Sequence, residues 1–411
     1  MNQEKARWTF IVYLAGDNNL STAGEKDLGE MCTAGSTADV NIVAEFDRTG
    51  HTYHTKRYYV QRDQAQEVAD LGETDCGDPE VLLDFVQWAA TEYPAERYAL
   101  VLWNHGGGWE PSEIDRIAQE VGTRDYGKAE GSQRSSSPLG RVFFRPTVAG
   151  ILGLLSPEER AICCDDGSGH SLDTVELGKV LAQVATMLGQ PLDLLGMDAC
   201  LMSNLEVAYQ SRPYVRYIVA SEESEPNDGW PYDAVLGKLV ENPDLTPPDL
   251  ATHIVHAYVK SYVERGYSGP VTQSAVDLSR VDALVTPLDR LAEALIAHMP
   301  KAADEIWISQ RNSARFFHNT LWDVAHFCEK LEQATSSSAV RGAAQEVRTA
   351  LQPGPGNLVI AEAHNGTKVE RCRGITIYLL PPLMEISRYY ADLDYAQQHH
   401  WPAMLQAYHA V

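Results

Sequence analysis

Residues Pro191 to Glu206 read P-L-D-L-L-G-M-D-A-C-L-M-S-N-L-E, and this pattern decides the fold. Leu192 to Met197 is apolar except for Asp193 and Gly196, which fits a strand buried on both faces of a parallel sheet better than a half-wet, alternating one. The run stops at Asp198-Ala199-Cys200. Ser203 and Glu206 then stand at the spacing of a capping box, opening a helix through Leu205 and Tyr209. Cys200 is therefore expected on the turn at the carboxyl end of a strand, where open α/β sheets hold their ligands. A free cysteine is more often an inert buried thiol, so the turn alone does not make it a nucleophile.

Ala99 to Trp109, A-L-V-L-W-N-H-G-G-G-W, repeats the arrangement: a short apolar run, then a polar residue and glycines. His105 is expected at the carboxyl end of a second strand. An imidazole close in space helps deprotonate a thiol, and two strand ends on one edge of one sheet supply that proximity. Glycines after the histidine let backbone N–H groups approach a ligand, as an oxyanion site requires. By itself His105 is equally a structural histidine.

N-H-G-G-G-W and D-A-C-L-M-S, with W-T-F-I-V-Y-L-A-G-D-N-N-L from Trp8 and A-S-E-E-S-E-P-N-D-G-W-P-Y from Ala220, resemble the clostripain family of cysteine peptidases, relatives of caspases, gingipains, legumain and separase. The resemblance covers roughly residues 8 to 240, and its four motifs in this order are specific. It implies a caspase-like three-layer α/β fold, with a mostly parallel central sheet flanked by helices, and a His105/Cys200 dyad that cleaves after arginine or lysine. It also places Asp198 and Asp228 in the pocket for the basic side chain, where an unpaired buried carboxylate would reject neutral side chains. The other reading of Asp198 is that it orients His105 or caps the helix. Gly106 and Cys200 are expected to supply the oxyanion amides. Family members mature by cutting themselves between histidine and cysteine, and here that interval holds Glu110 to Arg160, rich in Gly, Ser, Arg and Glu and without a sustained period. Arg134 and Arg141 are the expected cleavage points; a tolerated insertion is the plain alternative.

The chain has 411 residues, 33 Lys and Arg against 57 Asp and Glu, and a formal net charge of −24. Such a chain repels nucleic acid and anionic membrane and attracts cationic substrates. No apolar stretch reaches membrane-spanning length, and the run after Lys5 and Arg7 reads as a first core strand rather than a signal peptide. Seven cysteines, with only Cys163 and Cys164 adjacent, fit neither a disulfide framework nor a zinc site, which favours a reducing, cytoplasmic compartment and a monomer. No cofactor is required and no metal ligand is assigned. Asp165-Asp166-Gly167-Ser168-Gly169 has a calcium-like look without the spacing of a calcium loop. His399 and His400 read as a solvated terminal segment.

In order, Trp8 to Leu14 and Val40 to Phe46 read as strands, His51 to Gln61 as an exposed hairpin or edge strand, and Asp78-Pro79-Glu80 as a helix start. Leu177 to Leu188 reads as a helix closed by Gly189. Residues 1–240 are expected to form the catalytic core, with 110–165 inserted, and 241–411 a mainly helical subdomain with late strands at Asn357 to Ala363 and Gly374 to Leu380. Two other functions are weighed. H-G-G-G-W also resembles an esterase oxyanion segment, but the chain has no G-x-S-x-G elbow. A non-catalytic scaffold leaves the two reactive strand ends unexplained.

Overall fold

The computed structural model describes residues 5–50, 54–109, 162–163 and 171–411. The first strand, β1 (Ala6–Gly16), turns at Asp17 to Leu20 into α1 (Ser21–Ala34) and returns as β2 (Val40–Arg48). A hairpin of β3 (Lys56–Gln61) and β4 (Gln64–Asp70) follows, as the tyrosine-rich, polar stretch implied. Asp78 accepts a hydrogen bond from the Glu80 amide and Pro79 takes the first position of α2 (Pro79–Glu92), which leads into β5 (Ala95–Trp103).

From residue 171 onward come α3 (Thr174–Leu188), β6 (Leu192–Asp198), α4 (Leu205–Ser211) and β7 (Val215–Ala220). Asp173 and Glu176 cap α3 reciprocally, and Gly189 ends it in the left-handed conformation at φ 69°. Leu177, Val180, Leu181 and Val184 bury one face of that helix. Each such side chain is worth about 1.5–3 kcal/mol relative to exposure, so an aspartate at Val180 would detach the helix. Next are α5 (Tyr232–Glu241), α6 (Pro247–Glu264) and β8 (Val271–Asp277).

One nine-stranded sheet runs β11-β8-β7-β6-β5-β1-β2-β3-β4, where β11 is Val359–Asn365. Neighbours from β2 through β1, β5 and β6 to β7 are parallel, and antiparallel strands extend both edges. Alternation along the strands builds the two outer layers. Ile11, Tyr13 and Leu100 point toward α2 and α3, whereas Phe10, Val12 and Val101 point toward α1, α5 and α6. This is the three-layer, mostly parallel α/β architecture implied by the resemblance.

Residues beyond 240 are intimate with the sheet, since β8 and β11 lie within it. They also supply α7 (Asp282–His298), α8 (Lys301–Arg311), β9 (Arg315–Phe316), β10 (Leu321–Asp323), α9 (Val324–Ala334), α10 (Ser338–Ala350), β12 (Thr376–Tyr378) and α11 (Trp401–His409). The two late strands separate: β11 joins the main sheet, and β12 joins β10 and β9 in a three-stranded one. No helix among the described residues is long and apolar enough to cross a membrane.

The capping box expected from Ser203 and Glu206 is replaced by another arrangement. Asn204 is the cap of α4 and accepts from the Val207 amide at 2.9 Å. Ser203 instead donates to the Gly374 carbonyl at 2.6 Å, and Glu206 accepts from the Tyr378 amide and the Tyr390 hydroxyl. Both residues are buried under the second sheet, so long-range partners outbid the local cap.

Candidate active site

Adjacent strands β5 and β6 are in register with Trp103 opposite Asp198. His105 and Cys200 each lie two residues beyond that pair, so they leave neighbouring strand ends at one level, about 5 Å apart in the hydrogen-bonding direction. The Asn104 amide continues the ladder to the Asp198 carbonyl at 3.3 Å. A Cβ on Gly106 would overlap the Cys200 carbonyl oxygen and stand 3.1 Å from its nitrogen. Only glycine lets the two turns touch.

His105 is 8% exposed, and its Nε2 lies 2.7 Å from Asn19 Oδ1. Asn104 Nδ2 donates to the Ala15 carbonyl at 2.6 Å, and Asn18 caps the Leu20 amide at 2.9 Å. The Asp-Asn-Asn turn after β1 thus braces the histidine turn from the side away from Cys200's strand.

Cys200 is partly exposed and its Sγ accepts from the Glu225 amide at 3.2 Å. Burial pushes the thiol above its ordinary pKa, while the amides of Glu225, Gly106 and Cys200 aim at the sulfur and oppose that rise. The next residue, Leu201, holds a left-handed φ of 66° and donates its amide to the Glu223 carbonyl at 3.3 Å. A bulky side chain in that conformation is strained, and here the strain falls on the turn that carries Cys200.

Asp198 is buried in an acidic cluster. Its Oδ2 accepts from the Trp230 amide at 3.2 Å and the Tyr232 hydroxyl at 2.9 Å, and its carboxyl bonds that of Glu225. Burial raises both carboxyls; the bond from Glu225 draws Asp198 back down, whereas the charge of Asp198 and the same bond push Glu225 further up, so the proton rests on the Glu225 side. Asp27, wholly buried on α1, accepts from Trp103 Nε1 at 2.8 Å and is raised by burial first and by the charge of Asp198 second. Gly229, at φ 57°, passes close to both: a Cβ there would lie 3.1 Å from Asp198 Oδ2 and 3.2 Å from Asp27 Oδ2.

Asp228 sits differently. It is 55% exposed, bonded to Lys26 at 3.1 Å and to Arg265 at 3.0 Å, and the Lys26 bond holds its carboxyl below the usual range. The structure therefore brings His105, Gly106, Cys200 and Asp198 together, and places Asp228 at the rim with two cations already on it. Arg134 and Arg141 lie outside the described residues, as do Asp165, Asp166 and Gly167.

One group of potential metal ligands stands among the described residues: Glu222, Asp323 and Cys372, with one donor atom each within 4.8 Å of the others. A thiol is a poor calcium ligand, and the carboxylates already take N–H groups of Gly374, His326 and Arg373. His399 is held between Asp289 at 2.7 Å and Tyr209 at 2.8 Å, whereas His400 pairs with Glu293. The former is thus more tightly built in than a solvated segment.

Sequence reasoning missed Asn19, Asp27 and Glu225. Asp27 had a legible signal, since it falls on the face of α1 that buries Gly24, Leu28 and Met31, and a carboxylate on an apolar stripe asks for a partner. Glu225 had none beyond its place in the loop after β7.

The sequence profile of the clostripain family matches residues 12–124 and 151–408, leaving out the middle of the interval that contains Arg134 and Arg141. Clostripain of Hathewaya histolytica is 25% identical over 262 residues, which span 56% of this chain but 42% of that protein. Two solved structures share the fold. A secreted C11 cysteine protease from Bacteroides thetaiotaomicron in complex with an irreversible peptide inhibitor superposes with a TM-score of 0.62 at 18% identity, over 97% of this chain and 99% of that one. An inactive zymogen C11 protease from Parabacteroides distasonis gives 0.65 at 18% identity, over 96% and 98%. With the profile matched over nearly the whole chain and the strand-end geometry in place, the chain belongs to the clostripain family of cysteine peptidases.

Proposed function

We propose that this chain is a cysteine endopeptidase that cleaves after arginine or lysine, with Cys200 as nucleophile and His105 as its base. The observation that supports this best is the register of β5 and β6, which delivers the two side chains from neighbouring strand ends with three backbone amides around the sulfur. Asn19 Oδ1 accepts from Nε2–H of a neutral His105, leaving Nδ1 with the lone pair that takes the thiol proton. The thiolate attacks the scissile carbonyl. The amides of Gly106 and Cys200 donate to the oxyanion, each worth about 2–4 kcal/mol when well placed. His105 returns its proton to the departing amine as the C–N bond breaks, and water releases the acyl group from sulfur.

The acids beside the site support a cationic side chain on the acyl side of the cut. The same preference makes the basic interval between the dyad residues a substrate, with Arg134 and Arg141 as the proposed points of self-cleavage. Alkylation of Cys200 with iodoacetamide should abolish hydrolysis of an arginyl peptide amide. An alkylated protein that still hydrolyses it would sink the assignment, and an unmodified protein with no activity on any peptide would favour a scaffold. Denaturing gels test the processing: two fragments should form in the wild type and a single intact chain in Cys200→Ala, and an intact, fully active wild type removes the self-cleavage reading.

A further inference from the structure

The pocket beside Cys200 holds more acid than one substrate cation needs. Asp27, Asp198 and Glu225 converge from α1, the end of β6 and the loop after β7; the Asp198 and Glu225 carboxyls bond each other, and Asp27 Oδ1 is buried without a hydrogen-bond partner. Asp27 is fully buried and its second oxygen has no donor beside it, so a positive group brought to it would be favoured.

We propose that Asp27 and Glu225 are specificity-determining residues that complete the pocket with Asp198, and that a substrate guanidinium or ammonium entering it displaces a proton shared by the Asp198 and Glu225 carboxyls. This rests on the reading that the enzyme cleaves after basic residues. In the empty pocket one proton lies between the two carboxyls, because their charges are too close to coexist unpaired. The incoming cation supplies the missing positive charge, both acids ionise, and the proton passes to bulk water. Binding of a cationic side chain is then linked to release of one proton, and binding of its neutral isostere is not.

The other titratable groups around the pocket leave that proton where it is. On α1, Lys26 is drawn to Asp228 and Glu30 at the rim. From the far side, Arg265 holds Asp228 and the Tyr262 hydroxyl donates to the Gly229 carbonyl. The Tyr232 hydroxyl donates to Asp198, and Tyr258, buried with its hydroxyl unpartnered, stays neutral because burial raises it far above its usual range. On β8, Gln273 offers Glu225 an amide at 3.4 Å and no charge. Glu225 also reaches the nucleophile through its main chain, with its amide on the Cys200 sulfur. Pocket occupancy and the thiol are therefore joined by one residue.

The test is the ratio of kcat/KM for an arginyl peptide to that for the same peptide with citrulline, taken at each pH from about 5.5 to 9. Citrulline keeps the shape and loses the charge, so titration of Cys200 and His105 cancels in the ratio. In the wild type the ratio should rise by up to about tenfold per pH unit, the slope of one released proton. Glu225→Gln keeps a donor toward Asp198 but has no proton to release, and should flatten the profile. Asp27→Asn keeps the bond from Trp103 and should lower the ratio most at the alkaline end, where the Asp27 carboxyl, raised by burial to about 8, ionises in the wild type. A ratio well above one that is flat with pH in the wild type overturns the proton displacement while leaving the basic-residue reading intact. A ratio near one throughout overturns that reading itself. An unchanged slope in Glu225→Gln removes Glu225 from the proposal, and an unchanged ratio in Asp27→Asn removes Asp27. The wild-type profile decides the central point even if neither variant folds.

Discussion

The loop leaving β7 carries two buried acids three residues apart, and they meet different surroundings. Glu222 turns toward the second sheet, where Asp323, Cys372 and the Gly374 amide enclose it. Glu225 turns toward Asp198, with its amide on the Cys200 sulfur. Both belong to carboxyl pairs pushed upward by burial, so neither burial nor a raised pKa separates a functional acid from a structural one. Location separates them. The Glu222 pair is closed by main-chain donors of the residues that follow it in the second sheet. The Glu225 pair lies beside a partly exposed thiol, whose sulfur takes the Glu225 amide.

The largest expected effect tests whether the Glu225 side is an active site at all. Cys200→Ala and His105→Ala should each lower kcat on an arginyl peptide by at least about a thousandfold. Circular dichroism should remain near wild type, because both residues lie beyond the last paired residues of β5 and β6. Retained turnover in either variant would erase the distinction between the two regions.

The central sheet and the placing of His105 and Cys200 at neighbouring strand ends were legible because parallel strands buried on both faces read as apolar runs, and each run ends just before one of the two residues. The β8 strand was not. Its sequence V-T-Q-S-A-V-D is half polar, yet Thr272, Gln273 and Ser274 are buried, because Thr272 accepts from the Glu222 and Glu223 amides and Ser274 donates to the Gly374 carbonyl. Partners supplied from distant segments are invisible to local periodicity. The same limitation made Ser203 look like a cap. In the loop after β7 the resemblance pointed to Asp228 while the buried carboxyl is Glu225, since sequence fixes neither which loop residue turns inward nor that Lys26 and Arg265 wait outside.

That contrast between a buried and a rim acid gives the next two expectations. Asp198→Asn removes a charge held at the pocket floor and should lower kcat/KM for arginyl peptides by roughly 30-fold or more, the scale of a buried charge pair left half-made. It should leave the citrulline peptide much less affected. Asp228→Ala removes a half-exposed carboxylate screened by solvent, and exposed pairs contribute about 0–1 kcal/mol, so the loss should stay below about tenfold. The reverse order, with Asp228 dominant, would mean that Lys26 and Arg265 give way to the substrate and that the rim rather than the floor reads the cation.

The smallest effect falls on the Glu222 side and concerns stability. Burial raises both Glu222 and Asp323, the latter to about 6, above the unfolded range near 4. A native state that binds the extra proton is favoured at low pH. The stabilisation from this pair is therefore complete below about pH 4 and is lost as pH rises through about 6. Glu222→Gln can still accept from the Gly374 amide and donate permanently to Asp323, so it has no proton to lose. Its melting temperature relative to wild type should climb between pH 4 and pH 7, by an amount corresponding to about 1 kcal/mol, while the arginyl-to-citrulline ratio stays where it was. A variant that lowers that ratio instead would show that the two acid pairs act as one unit, and the division between the closed and the open side of the loop would fail.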